Sequence, residues 1–238
     1  VWVDHELDNH IPFDPGKVTT YLGFIQIWVR AASLMRWQLG RKANRDISRF
    51  LHGLSDCYVE AWDVYKRCMS TTKRPEAAAN RHFRMIYATD PHFCCVPSLH
   101  VMIVVYTVIT AQAIYERHDR MDLGASVVED LYQQAQDITE TIIFVKQHSV
   151  NCISAALYMV SNMYPRFGRE QAEWMIRQLF RQDLPAAEHG QIDRYITRLY
   201  LKFMDDPRAM SGAYTDVLVD FLLAYAADPG LATGRLDA

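Results

Sequence analysis

The chain has 238 residues, half of them apolar and 22% charged, the balance of a globular protein large enough for one generous domain. A formal net charge of -3 gives no global attraction to nucleic acid or to an anionic membrane surface. The five cysteines (Cys57, Cys68, Cys94, Cys95, Cys152) are odd in number and lack CxxC spacing. That favours free thiols in a reducing, cytoplasmic setting over a disulfide framework, and no structural zinc site is readable.

Helical periodicity runs through the sequence, and no alternating strand pattern stands out. Weak patterns predict a first helix near 17–37. Ile47, Phe50, Leu51, Leu54, Cys57, Tyr58, Ala61, Val64 and Tyr65 then recur at three- and four-residue steps, with Arg49, Asp56, Glu60 and Asp63 opposite. That is an amphipathic helix of about 20 residues. Thr71 to Pro97 holds prolines and polar residues and reads as a loop. A helix near 98–116 follows, then an amphipathic one over about 126–145 with Leu131, Tyr132, Ala135, Ile138 and Ile142 inward. Further helices are expected near 148–163, 169–181, 190–204 and 213–226, with 183–189 a loop and a frayed tail from Asp228. Ser98–Tyr115 is free of charge but falls just short of the roughly 20 residues of a spanning helix. Gln147–Pro165 is uncharged too, yet carries Gln147, His148, Asn151 and Asn162, so buried helices explain both runs better than bilayer helices. The chain opens on Val1 rather than Met, so a targeting segment is not readable.

Three segments carry chemistry. In Arg67-Cys-Met-Ser-Thr-Thr-Lys-Arg74-Pro75 two guanidinium groups could close on one phosphate with planar, bidentate donors. Alone, it reads more readily as a solvated basic loop after a helix C-terminus. In Pro97-Ser98-Leu99-His100, Ser98 is an N-cap candidate, and free N–H groups at Leu99 and His100 would form an anion site. His100 in the first turn could protonate a leaving oxygen; the alternative is a cap with a histidine in a polar niche. In Lys146-Gln147-His148-Ser149-Val150-Asn151, a histidine at a helix boundary could act as nucleophile or base, although a lone histidine in an apolar run is more often a core residue. His5, His10, His52, His82, His92, His118 and His189 show no ligand spacing and read as surface or structural.

The order of these segments resembles the phosphatidic acid phosphatase type 2 superfamily, which includes vanadium haloperoxidases and bacterial class A acid phosphatases. Its signature is Lys-x6-Arg-Pro, Pro-Ser-Gly-His and Ser-Arg-x5-His-x3-Asp. Here the first motif is Arg67-x6-Arg74-Pro75, and the second is Pro97-Ser98-Leu99-His100. Leucine in the second motif, Lys-Gln-His in the third and Ile-Pro-Phe at 11–13 are similar to the branch of inositol phosphorylceramide synthases. The resemblance covers about residues 9–163. Periodicity beyond it adds C-terminal helices over 164–227, expected to pack on the core, and composition a flexible tail at 228–238, while the resemblance implies an all-α helical bundle of the acid phosphatase/haloperoxidase type over 1–163. It also implies a metal-independent phosphatase or phosphotransferase acting on a phosphomonoester or phospholipid head group. His148 would attack phosphorus, His100 would protonate the leaving alcohol, and Arg67, Arg74, Ser98, Leu99 and Lys146 would bind phosphate, with phosphate or vanadate as the active-site anion and no other cofactor.

Besides arginine for lysine at 67 and leucine for glycine at 99, three positions of the third motif depart from the signature. Ser-Arg falls on Thr141-Ile142, and Lys146 could supply the missing charge. The aspartate that would orient the nucleophile falls on Cys152, a poor acceptor for an imidazole N–H, with Asn151 as the substitute acceptor. Losing such a carboxylate costs about 10⁴ in rate in the serine-protease analogue. The alternative is therefore a catalytically degenerate protein that binds phosphate or a phospho-ligand, or a helical interaction protein. The charged face over 46–66 is wrong for lipid exposure, which leaves peripheral membrane contact and homo-oligomerisation open and no nucleic-acid partner expected.

Overall fold

The computed structural model describes residues 1–75, 81–90 and 92–233. Helix accounts for 74% of the chain and no strand forms among the described residues, so the protein is all-α. The helices are α1 (Val18–Leu22), α2 (Phe24–Leu39), α3 (Asn44–Arg67), α4 (Arg81–Thr89), α5 (Leu99–Arg117) and α6 (Met121–Phe144), followed by α7 (Val150–Met163), α8 (Arg169–Ile176), α9 (Ala186–Met204), α10 (Tyr214–Ala227) and α11 (Pro229–Thr233).

At the centre is α5, packed against α2, α3, α6 and α7. Its first eight residues after His100, Val101 to Val108, are all buried, which is why the sequence there is apolar on every face. By length and composition α5 is long and apolar enough to cross a membrane, but most of it is enclosed by the bundle. The α5–α6 crossing is close because Gly124 has no side chain: a Cβ there would lie 2.3 Å from Cγ of Tyr115. On α3, Phe50, Leu54, Cys57, Ala61, Val64 and Tyr65 are buried, the inward stripe the periodicity predicts. Beyond the core, α9 packs on α7, and α10 on α3 and α7.

Several local expectations change. The stretch expected as a loop over 71–97 contains α4, whose Phe83 and Ile86 are buried. The helix expected over 169–181 ends at Ile176, and α9 begins at Ala186, inside the expected 183–189 loop and just after Pro185. The tail expected to fray from Asp228 instead forms α11, whose Ala232 carbonyl accepts a bond from Lys202 Nζ. The rest of that tail, 234–238, lies outside the described residues.

The N-terminal residues bind segments far apart in sequence. Val3 N–H donates to the Thr71 carbonyl at 2.9 Å, and Thr71 N–H donates to the Val1 carbonyl at 2.8 Å. Asp8 Oδ1 accepts from the Val150 N–H at 2.9 Å, and Asp14 N–H donates to Phe144 at 3.0 Å. The strap thus joins the segment before Arg74 to the turn that carries His148.

Candidate functional site

Three helices, the turn between α6 and α7 and residues ahead of α5 converge on one cavity of about 180 Å³, several times the space one water needs. Its wall includes Tyr21 from α1, Tyr65 from α3, Leu99 and His100 from the start of α5, and His148 from the turn between α6 and α7; Asp90, His92, Cys94 and Cys95 complete it. The sequence places His100 and His148 there for a simple reason. Both stand at helix N-termini, and the Ser98 N–H donates to the Cys152 carbonyl at 3.3 Å, tying the start of α5 to the start of α7.

The two imidazoles meet edge to face, with centroids 5.7 Å apart. Tyr21 and Phe24 lie against the other surfaces of His100, at 4.4 and 4.3 Å. Burial pushes the His100 pKa down to about 4, only partly opposed by Asp90. His148 is buried, and its Nδ1 lies 3.1 Å from the Cys95 carbonyl. A carbonyl can only accept, so Nδ1 carries the hydrogen and Nε2 keeps its lone pair. Burial, the imidazoles of His100 and His92, and the Arg74 guanidinium push His148 well below its ordinary range. Both rings are neutral at pH 7.

This arrangement differs from the expected orientation of His148 by Asn151. Both ends of the Asn151 amide are engaged elsewhere: Nδ2 donates to the Val3 carbonyl at 3.1 Å, and Oδ1 accepts from the Tyr195 hydroxyl at 2.6 Å. Cys152 does not substitute for the carboxylate either, since its Sγ accepts the Ser149 N–H at 3.3 Å. The Cys95 backbone takes that place, which no side-chain motif could reveal.

The cations divide. Arg74 stays beside the cavity, and its charge acts on His148, His92, Cys95 and Tyr21. Its guanidinium donates to the Asp90 carbonyl and carboxylate at 3.1 and 3.0 Å and lies over the Tyr87 ring. Among the described residues, Nε of Arg74 is buried without a hydrogen-bond partner. Arg67 points away, held by Asp63 at 3.2 Å and Asp216 at 2.7 Å on α10. Lys146 also turns away, donating to the Asp8 and Ile11 carbonyls at 2.6 and 2.5 Å. The expected two-arginine clamp is therefore reduced to Arg74.

Ser98 occupies the N-cap of α5, but its side chain caps nothing. Its Oγ is fully buried and has no hydrogen-bond partner among the described residues. The Leu99 N–H is shared with the Tyr65 oxygen, whose hydroxyl donates to the Pro97 carbonyl at 2.5 Å. Six cavity residues were missed from sequence: Tyr21, Tyr65, Asp90, His92, Cys94 and Cys95. Tyr65 lay on the inward stripe of α3, and His92 and Cys95 flank the Pro97-Ser98 motif, so proximity to the motifs was the available signal. His92 pairs with Thr72 Oγ1 at 2.9 Å and has its pKa lowered to about 4 by burial. All five cysteines are unpaired, and among the described residues no group of three or more His, Cys, Asp or Glu side chains is arranged to hold a metal ion. No family model matches this chain, and no curated protein or solved structure matches it significantly.

Proposed function

We propose that this cavity takes a phosphoryl group and that the protein is a metal-independent phosphatase or phosphotransferase acting on a phosphomonoester or phospholipid head group. The scaffold in this reading is a bundle of the acid phosphatase/haloperoxidase type. One observation carries it: His148 is locked through Nδ1 on the Cys95 carbonyl, which leaves Nε2 as a neutral nucleophile beside His100. Arg74 adds support as the cation beside the site, since its charge acts on His148.

In the reaction Nε2 of His148 attacks phosphorus, the bond to the leaving oxygen breaks, and that oxygen takes a proton from His100. A dianionic ester entering the cavity raises the pKa of His100 from its low resting value and so loads this proton. Water or a second alcohol then gives a proton back to His100 and attacks phosphorus, and the P–N bond breaks. The test is turnover of p-nitrophenyl phosphate: His148→Ala is expected to lose at least about 10³ in kcat/KM, and His100→Ala 10²–10⁴. Equal rates for wild type and His148→Ala overturn catalysis.

A second reading, phospho-ligand binding without turnover, is favoured by the commitment of Arg67 to Asp63 and Asp216 and of Arg74 to Asp90. In that case vanadate or phosphate binds, the binding weakens in Arg74→Ala, and wild type and His148→Ala are equally inert.

A further inference from the structure

Between Asp14 and Asp46 the chain has no acidic residue but carries Lys17, Arg30, Arg36, Arg41, Lys42 and Arg45, in a protein of net charge -3. Arg30 is paired with Asp130 at 2.6 Å. Among the described residues, Arg36, Arg41, Lys42 and Arg45 make no ion pair, and all four are exposed. Asp46, the first carboxylate after them, is buried and held by Arg117 and His118.

The same segment exposes apolar surface. Ile25, Val29, Ser33 and Trp37 follow at four-residue steps along one face of α2, with Ile25 48%, Val29 45% and Trp37 79% exposed. Trp37 stands at the end of the helix, just before the turn at Gly40, whose φ is +69°. Beyond it Arg41, Lys42, His118 and Arg120 line a notch of about 470 Å³. An apolar helical stripe, a terminal tryptophan and a cationic turn form the pattern that lies in a lipid interface, with the ring at head-group level and the cations reaching lipid phosphates.

We propose that α2 and the turn over 40–45 form a docking surface for an anionic lipid bilayer. Charge decides the occupant. In a two-fold contact between copies the same face meets itself, so its unpaired cations would oppose one another. A nucleic-acid backbone would satisfy the cations but leave Ile25, Val29 and Trp37 without an apolar partner. An anionic bilayer satisfies both, and its surface potential strengthens binding about fivefold for each cation near it. The surface is independent of the phosphoryl reading, since none of its residues lines the histidine cavity.

Sedimentation with vesicles tests this, using phosphatidylcholine alone and phosphatidylcholine with about 30 mol % phosphatidylserine. The wild type is expected to partition at least about tenfold more strongly into the anionic vesicles, and to be released as salt rises from about 0.05 to 0.5 M. Arg41→Glu/Lys42→Glu/Arg45→Glu should lose on the order of 10²-fold, and Trp37→Ser severalfold on the same vesicles. His148→Ala should bind as the wild type, which separates this surface from any head-group contact in the cavity. Equal partition into both vesicle types, no binding at low salt, or unchanged binding of a folded charge-reversed variant overturns the proposal. A dimer abolished by Trp37→Ser, without vesicle binding, assigns the face to a second copy and overturns it too.

Discussion

Around His148 the polar chemistry belongs to the backbone: the Cys95 carbonyl holds Nδ1, while Cys152, where a carboxylate was expected, accepts the Ser149 N–H. It follows that Cys152→Asp would not repair the site. It would place a carboxylate in a fully buried position near Asp8 and Asp4, and an uncompensated buried charge costs about 3–5 kcal/mol. Chemical denaturation should show a loss of that order, with no gain in turnover; a stable, faster variant would mean that the Cys95 carbonyl is not the orienting group. The histidines also make stability depend on pH. His92 falls from 6.5 to about 4 on folding because it is buried, so the unfolded chain takes up its proton first as pH drops. Its contribution is fully present above about pH 6.5 and is lost toward pH 4, up to about 3 kcal/mol, and His100 acts in the same window and direction. Asp8, raised from 3.8 to about 6 by burial, acts oppositely and offsets part of this loss. Denaturant titrations should show the wild type weaker at pH 4.5 than at pH 7, and His92→Gln losing less over that interval. Equal losses in both proteins would contradict a buried, neutral His92.

At the scale of elements, the strap and the helix phases determine which motif residues meet. On α3, Arg67 follows the inward Tyr65 by two residues, about 200° of helical turn, so its side chain faces α10 instead of the cavity. That was legible from the inward stripe, and the four-residue step back to Asp63 offered Arg67 a ready partner. The strap was not legible, because its bonds to Thr71, Phe144 and Val150 are long-range backbone contacts without periodicity. Asp8 is its central group, accepting from both the His5 and Val150 N–H groups. Asp8→Ala should cost about 1–3 kcal/mol by leaving a buried N–H at the start of α7 unsatisfied. Amide exchange should quicken first over 146–151; protection unchanged there would separate the strap from the nucleophile turn.

For the whole molecule, the long periodic helices α3, α5, α6 and α7 were readable because each has one uninterrupted pattern of apolar burial. Shorter α4, which buries Phe83 and Ile86, was hidden among prolines and polar residues. The pairing of His100 with His148 was readable from motif order, whereas the cavity's Tyr21, Tyr65 and His92 depend on tertiary packing that spacing does not encode. Net charge misled in one respect: a total of -3 conceals the acid-free segment between Asp14 and Asp46. The central claim, that a phosphoryl group is carried on His148, is tested most directly by mixing the protein with ³²P-labelled phenyl phosphate and quenching in alkali, where phosphohistidine survives. The account predicts label on the peptide containing His148 in the wild type and none in His148→Ala; label retained in His148→Ala, or wild-type turnover without labelled histidine, would contradict it.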